Sequence, residues 1–576
     1  MSAAPSTRSP VRNSAWNIWM NPIFRRYCQS RLRLRALGIG LLLVVLAAGF
    51  IVAMSSSIGV QNQVKLEDTA RAALIPLLVI QGIILFVLGT AQVAGGMTAE
   101  RDEGVIDYQR LLPMSPLTKV LGYLFGLPVR EYVLFAATLP FTAWLLWRGQ
   151  VTWEVWLPLY TVVFSSGLLY HFTGLLTGTV ARNRRWAFLA SIGLVFCLYT
   201  VIPQMAKFGL VFFKYLTVTP VFQETLPGLL PKEAGAAMKA WQQLAPTVKF
   251  FNLNFSEAVF TVFSQGGLIL TFVVMLCRKW RQAESHLLGK LWATGFFIWI
   301  QVLLLGNALP LIEPGTLFPT RALSGMMRVR IDWVPHPIEA MLLSGIYGMV
   351  TLLLIFVLGS IITPSLEHQI RGWRRARKLG ASCLPPTGDA ATAFWFVLIM
   401  ALAGAAGWFL FTRALVESRW YPGHFVPLRT FAFFAAVMLT GGVGYQVLLE
   451  AKGGRAVGLA AIFIGVLPMM IGAVLIPISS RLVAAAIWLI GMSPLSMPFY
   501  ATGTLLSIAD LPPIADRALP RAFYFWLLVA VLATVWLIQR LWATRREMSR
   551  TALAAPLTAT AETSPYEREP GTGRER

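Results

Sequence analysis

Histidine, cysteine and the carboxylates are the side chains able to ligate a metal, move a proton or carry a covalent intermediate, and in this chain they are sparse and dispersed. The five histidines, His171, His286, His336, His368 and His424, lie far apart in sequence, which argues against a metal cluster. None of the four cysteines (Cys28, Cys197, Cys277, Cys383) has a CxxC partner, so neither a disulfide framework nor a zinc site is supported. There is no GxxxxGK[ST] phosphate loop, no HExxH and no GxSxG. The expectation is a chain with no catalytic residue, no metal and no cofactor of its own.

Three places stand out against that background. The first is a polar island, Met97–Gly122, in which Glu100, Asp102, Glu103 and Asp107 precede Leu111-Leu112-Pro113 and Ser115-Pro116. A helix over Ala99–Leu112 would carry Glu100, Asp102 and Glu103 in its first turns, where negative charge complements the macrodipole. Val105, Tyr108 and Leu112 would make one apolar stripe, Glu103, Asp107 and Arg110 would lie opposite, and Pro113 would end the helix. Such an element reads as a docking surface, with a solvated loop as the plainer alternative. The second is Arg130-Glu131 after Pro128, either a snorkelling interfacial pair that marks a helix start or part of a pathway. The third is His171, between Tyr170 and Phe172, which either lines a pathway or hydrogen-bonds a neighbouring backbone carbonyl.

The elements that must position these groups are membrane spans. The 576 residues are 56% hydrophobic and 13% charged, with a mean hydropathy of +0.64, so the expected fold class is an all-α polytopic membrane protein. Twelve runs are long enough to cross: 36–54, 73–96, 131–147, 157–180, 186–203, 257–277, 290–310, 339–362, 391–412, 429–450, 457–477 and 522–543. The net charge of +23 is read as anchoring at a cytoplasmic lipid surface rather than as a nucleic-acid interface. With the N-terminus inside, the larger share of the 49 lysines and arginines falls in the cytoplasm, including the clusters at Arg182–Arg185, Arg278–Arg281, Arg374–Lys378 and Arg545-Arg546. The same parity makes the Pro-broken apolar segments Phe208–Phe222 and Leu482–Tyr500 membrane-dipping elements on the outer face. Leu117–Leu127, too long to join the third span, is expected to lie along the inner surface and turn inward at Pro128.

The chain therefore divides into a cytoplasmic segment 1–35, a six-span half 36–277, a linker 278–289, a second six-span half 290–543 and a disordered cytoplasmic tail 544–576. The halves repeat in layout: Tyr170 with Tyr445, Pro203 with Pro477 and Pro220 with Pro494 recur at similar spacing. An even number of spans gives both halves one orientation, related by an axis along the membrane normal. Within 1–35, Trp16, Met20, Ile23 and Tyr27 at helical spacing, with Trp19, Arg25, Arg26, Arg31, Arg33 and Arg35, suit a helix lying at the headgroups, started or kinked by Pro22.

The island resembles the stretch after the second span of ABC-2 type permeases: an acidic triplet, Gly, a Leu-Leu pair, a Ser-Pro and a Lys-to-Gly step. Here these are Glu100-Arg101-Asp102-Glu103-Gly104, Leu111-Leu112-Pro113, Ser115-Pro116 and Lys119–Gly122. Asn21–Arg26 followed by Arg31-Leu32-Arg33 is similar to the interfacial elbow helix of the same family. The resemblance implies a cytoplasmic coupling helix whose ATPase-docking residues are Glu100, Arg101, Asp102, Glu103, Gly104, Asp107, Leu111 and Leu112, and an elbow helix carrying Trp16, Trp19, Pro22, Arg25 and Arg26. It implies a transport subunit rather than an enzyme. Separate ABC ATPase subunits would bind ATP, both termini would be cytoplasmic in a bacterial inner membrane, and export would be the direction. Its rivals are a secondary transporter or channel, with Glu131 and His171 lining the pathway, and a membrane-embedded transferase. At the matching place in the second half, Ser365–Arg371 runs into Arg374–Lys378, so the acidic triplet is replaced by a basic element.

Overall fold

A computed structural model describes residues 16–180, 184–242, 248–321, 334–380, 384–506 and 512–554. The stretch MSAAPSTRSP at the start of the chain, residues 182 and 183 of the first basic linker, Cys383 and most of the tail lie outside the described residues.

The protein is an all-α multi-pass membrane protein. Among the described residues nine helices are long and apolar enough to cross a bilayer, or ten if one bent pair counts as a single span. A helix is the natural solution because hydrocarbon leaves no water to satisfy backbone N–H and C=O groups. After a short helix α1 (Pro22–Arg31) come α2 (Leu34–Gln61) and α3 (Leu66–Asp102). Helix α3 has 37 residues, about 55 Å at 1.5 Å per residue, against a hydrocarbon layer of about 30 Å. The helix is thus longer than one crossing needs, and the acidic island begins in its last turn.

Beyond α3 lie α4 (Val105–Leu111), α5 (Pro116–Gly126) and α6 (Val129–Arg148). The bend between α5 and α6 is 53°, at Pro128. The turn falls where the sequence places it, and Val120, Leu121, Tyr123 and Leu124 of α5 are packed inside the protein. Helices α7 (Trp153–Val180) and α8 (Arg184–Phe196) follow, then short helical turns including Val211–Leu216, α9 (Thr219–Leu229), α10 (Lys232–Gln242) and α11 (Glu257–Arg281).

The all-α expectation misses one small sheet. Strands β1 (Val248–Phe250) and β2 (Leu253–Phe255) form an antiparallel hairpin, with Phe251 in the left-handed region at φ 49°. The Phe251 N–H donates to the Gly306 carbonyl at 2.8 Å, and the Phe250 ring lies where a side chain at Gly306 would be. The hairpin thus grips α12 (Lys290–Ile312), the first helix of the second half. Leu210, Phe212 and Tyr215 belong to the same apolar core as Phe297, Leu304 and Trp408. The segment Leu210–Leu216, expected on the outer face, is therefore packed against helices of the second half.

The second half continues with α13 (Pro337–Ile362), the basic α14 (Leu366–Lys378), α15 (Phe394–Val416) and α16 (Arg429–Ile478). Two separate spans are expected over 429–477; the structure has instead a 50-residue helical run. About 75 Å is more than twice the hydrocarbon thickness. Gly453, at φ 79° and ψ 176°, breaks the helical path between the two expected spans, so a kink does the work of a loop. The expected outer segment Leu482–Tyr500 contains two short helices, α17 (Val483–Ile490) and α18 (Met497–Leu505). Helix α19 (Pro513–Ala554) ends the described chain, so the first residues of the tail expected over 544–576 are helical rather than disordered. The fifth expected span, 186–203, is a 13-residue α8 prolonged by a π turn (Cys197–Val201) and a 3-10 segment, and is not among the nine.

Candidate functional site

The acidic island, α1 and the end of α11 come together at the end of the bundle that carries the N-terminal segment. Their contact is a distinct apolar core built from Ile23, Tyr27, Met97, Ile106, Tyr123, Leu124 and Trp280. Helix α1 begins as the sequence suggests: Pro22 occupies the first helical position, and the Asn21 side chain accepts from the Ile23 N–H at 3.0 Å. The Asn21 amide also donates to the Thr118 carbonyl at 2.7 Å, fastening the start of α1 to α5.

Glycine makes that fastening close. Gly122 and Gly126, one turn apart on α5, face α1; a Cβ on Gly126 would lie 2.7 Å from the Tyr27 ring, and one on Gly122 would lie 2.9 Å from the Ile23 Cβ. Small residues four apart let two helix axes approach. Gly126→Leu is expected to lift α1 off α5 and to cost about 1–3 kcal/mol, as overpacking does elsewhere. Accelerated amide exchange confined to residues 22–31 would report it, and unchanged exchange there would refute it.

Glu100 is the hub of the site. Its Oε1 accepts from the Tyr27 hydroxyl at 2.6 Å and pairs with Arg26, while Oε2 lies 3.1 Å from the Tyr123 hydroxyl. Tyr123 also reaches the Gln109 Oε1 at 2.8 Å and stacks on Trp280. Burial first, and then the bond to Glu100, pushes the Tyr27 hydroxyl well above the ordinary tyrosine range, so it remains a donor. Arg31 completes the clasp by donating to Gln92 Oε1 at 2.9 Å. Three segments far apart in sequence thus meet at one carboxylate.

This corrects the sequence reading in three respects. Glu100 and Asp102 lie in the last turn of α3, not the first turn of a new helix, so the macrodipole does not favour them there. Arg101 is the residue suited to that position, and it donates to the Thr179 carbonyl at 3.2 Å. The proposed helix over Ala99–Leu112 is divided at Gly104, whose φ of 72° suits glycine, and only Asp107 sits in a first helical turn. The buried face of α4 is Ile106 and Gln109, while in the expected apolar stripe Tyr108 is exposed and Val105 and Leu112 are half-buried.

The consequence is a sorting of the docking residues. Glu100 is turned inward, with a side chain 14% exposed. Asp102, Glu103, Gly104, Asp107 and Leu111 face outward, and Leu112 is half-buried. Tyr108 at 66% and Leu111 at 84% exposure put an apolar patch beside those acids, beyond the end of the span. Just ahead of α1, Trp16 and Trp19 are exposed, as the headgroup layer prefers for indole rings. Arg25 donates to the Trp19 carbonyl at 2.8 Å, while Arg26 is drawn over Glu100.

The two pathway candidates are held separately. Glu131, at the start of α6, is fully buried; its Oε1 accepts from Arg130 at 2.8 and 3.1 Å, and its Oε2 has no partner. His171 is fully buried on α7 and lies 2.9 Å from the Leu85 carbonyl through Nε2 and 2.8 Å from the Tyr132 hydroxyl through Nδ1. A proton on Nε2 satisfies both bonds. Leu85 belongs to a π turn, Ile83–Leu88, a geometry that disturbs the regular carbonyl pairing and gives the imidazole its acceptor. His171 and Tyr132 also back an apolar cleft of about 420 Å³ between Phe125, Phe135 and Phe164.

A second carboxylate hub was not read from the sequence. Glu450, just before the Gly453 kink, is fully buried; it accepts from Gln369 at 2.6 Å and Gln446 at 2.5 Å and pairs with Arg545. A lone glutamate at the end of a 20-residue apolar run, in Leu448-Leu449-Glu450-Ala451-Lys452, was its only signal. Among the described residues no group of three or more His, Cys, Asp or Glu side chains is placed to hold a metal ion. Comparison with family models, with curated proteins and with solved structures returns no match.

Proposed function

We propose that this chain is the membrane-spanning subunit of an ATP-driven transporter, a permease of the ABC-2 kind that exports its substrate while separate ATPase subunits bind and hydrolyse ATP. In this reading twelve spans form two six-helix repeats of like orientation in a bacterial inner membrane, with both termini in the cytoplasm. The π turns at Cys197–Val201 and Ala461–Val466, each in the fifth expected span of its half, support the repeat. The observation that carries the functional reading is the tip of α3 and α4. Asp102, Glu103 and Asp107 surround the exposed Tyr108 and Leu111 on a short helix, and Glu100 braces that tip against α1. Charge with an apolar centre suits a protein partner. A 37-residue helix joins the tip to the membrane core, so a displacement of the tip by ATP-driven closure of the partner would move the bundle.

The test is co-purification of the tagged chain with an ATPase carrying GxxxxGK[ST], identified by mass spectrometry. Reversing Asp102 and Glu103 to lysine should weaken that association by at least about tenfold, or about 1.4 kcal/mol, while the chain still folds. Undiminished association would sink the docking assignment. A secondary transporter or channel is the second reading, and the unpartnered Oε2 of buried Glu131 is the observation that favours it. Transport by the purified chain alone, driven by a proton gradient without ATP, would select it.

A further inference from the structure

Behind α4 the structure leaves a cavity of about 570 Å³ that the ATPase reading does not use. It lies at the same end of the bundle as α1, between the tip of α3, the ends of α7 and α11, and α4. Its floor is apolar, made by Met97, Leu276 and Trp280. Its rim is cationic: Arg101 from α3, Arg110 from α4 and Lys279 from α11, with Asp107 as the one acid.

The charges of that rim are incompletely used. Arg110 pairs with Asp107 through one terminal nitrogen and reaches the Lys279 carbonyl at 3.5 Å with the other. Its Nε is buried and has no protein partner. Among the described residues Lys279 donates to a carbonyl, that of Ala283 at 3.1 Å, and Arg101 shares Asp102 and the Gly178 and Thr179 carbonyls. Three cations against one acid give a lining charge of +2. A buried guanidinium N–H without an acceptor is costly, and a bidentate or tridentate anion repairs both deficits at once.

We infer that this cavity binds a phosphate group, held by Arg110, Lys279 and Arg101 over the Trp280 floor. A carboxylate supplies two oxygens, whereas a phosphate supplies three to groups arriving from three different helices, and the planar Arg forks suit it. The phosphate can be that of an anionic lipid from the adjacent leaflet, with its glycerol on the apolar floor, or that of a soluble phosphate compound. Either would cross-link α4 to α11 and α3, so occupancy would set how firmly the exposed tip is held. The inference does not depend on the ATPase reading, since the binding is measured on the chain alone.

The experiment titrates the detergent-solubilised full chain with dihexanoyl phosphatidic acid, dihexanoyl phosphatidylcholine and inorganic phosphate, reading the dissociation constant by calorimetry. Phosphatidic acid is expected to bind well above phosphatidylcholine, whose choline cation opposes the site. Lys279→Gln should weaken binding by about tenfold or more, and Lys279→Arg should keep it within about threefold. If inorganic phosphate binds with the same sensitivity to Lys279→Gln, the source is a soluble phosphate; if only the amphiphile does, it is lipid. Should Lys279→Gln unfold the chain, as its thermal melt would reveal, Arg101→Gln takes its place. Absence of binding by both phosphatidic acid and inorganic phosphate, or equal affinity in a folded charge-neutral variant, overturns the inference.

Discussion

Glu450→Ala is expected to destabilise the protein by about 3–5 kcal/mol, the largest effect of any single substitution proposed for the second half. The magnitude follows from what remains behind. Side-chain hydrogen bonds within membrane bundles contribute only about 0.6 kcal/mol on average, so losing the bond from Gln369, that from Gln446 one turn earlier on the same helix and the weaker contact from Thr392 at 3.4 Å accounts for about 2 kcal/mol. Removing one member of a buried ion pair leaves the other uncompensated and costs more, about 3–5 kcal/mol. Here the survivor is Arg545, whose side chain is largely buried. The ion pair therefore decides the outcome, and the variants separate the two contributions. Glu450→Gln keeps hydrogen-bonding capacity but strands Arg545, so it should cost nearly as much as alanine. Pairing Glu450→Gln with Arg545→Gln should recover a large part of that loss. Equilibrium unfolding in mixed detergent reads all three, and a Glu450→Gln protein within about 1 kcal/mol of the parent would defeat the argument.

Glu450 also marks the limit of what sequence can supply. Most of the spans were legible, though not 186–203, because the bilayer imposes a length and an apolar composition that survive any packing. Even the Gly453 kink falls between the two runs the hydropathy separates, since Lys452-Gly453-Gly454-Arg455 is a polar interruption. The hubs were not legible, because their partners come from segments 74 and 23 residues from Glu100 and 81 and 95 residues from Glu450. A terminal carboxylate looks the same in sequence whether it faces water or a buried arginine. Periodicity is equally silent on which face of α4 is covered: in the stripe of Val105, Tyr108 and Leu112 the Tyr108 ring is exposed, while the polar Gln109 is buried. Gln109 turns inward because the Tyr123 hydroxyl is there to meet it. The hairpin over 248–255 was missed for a different reason. Its strands are three residues each, and the turn requires a positive φ at Phe251, a residue that rarely adopts it.

For Glu100 the prediction concerns coupling as much as stability. Arg26 is partly exposed, so its pairing with Glu100 is screened and contributes at most about 1 kcal/mol. The Tyr27 hydroxyl at 2.6 Å is a charge-assisted bond in a buried setting, worth about 1.5–3 kcal/mol. The Tyr123 hydroxyl has one proton for two acceptors, Glu100 Oε2 and Gln109 Oε1, and the shorter distance gives it mainly to Gln109. Glu100→Gln should therefore cost about 2–3 kcal/mol, most of it from the Tyr27 bond, and Tyr27→Phe should reproduce most of that loss. Because these contacts are the clasp between α1 and the tip of α3, the loss should be local. Amide exchange in residues 22–31 should rise in both variants, while exchange in α15 stays at the parent rate. If the tip is the lever proposed above, a Glu100→Gln chain should still bind its ATPase through Asp102, Glu103 and Leu111 yet transport less per ATP hydrolysed. Binding and coupling would then fail separately, Asp102 and Glu103 governing the first and Glu100 the second. Loss of both together on Glu100→Gln, in a folded protein, would assign the whole island to docking and leave the clasp no part in transmission.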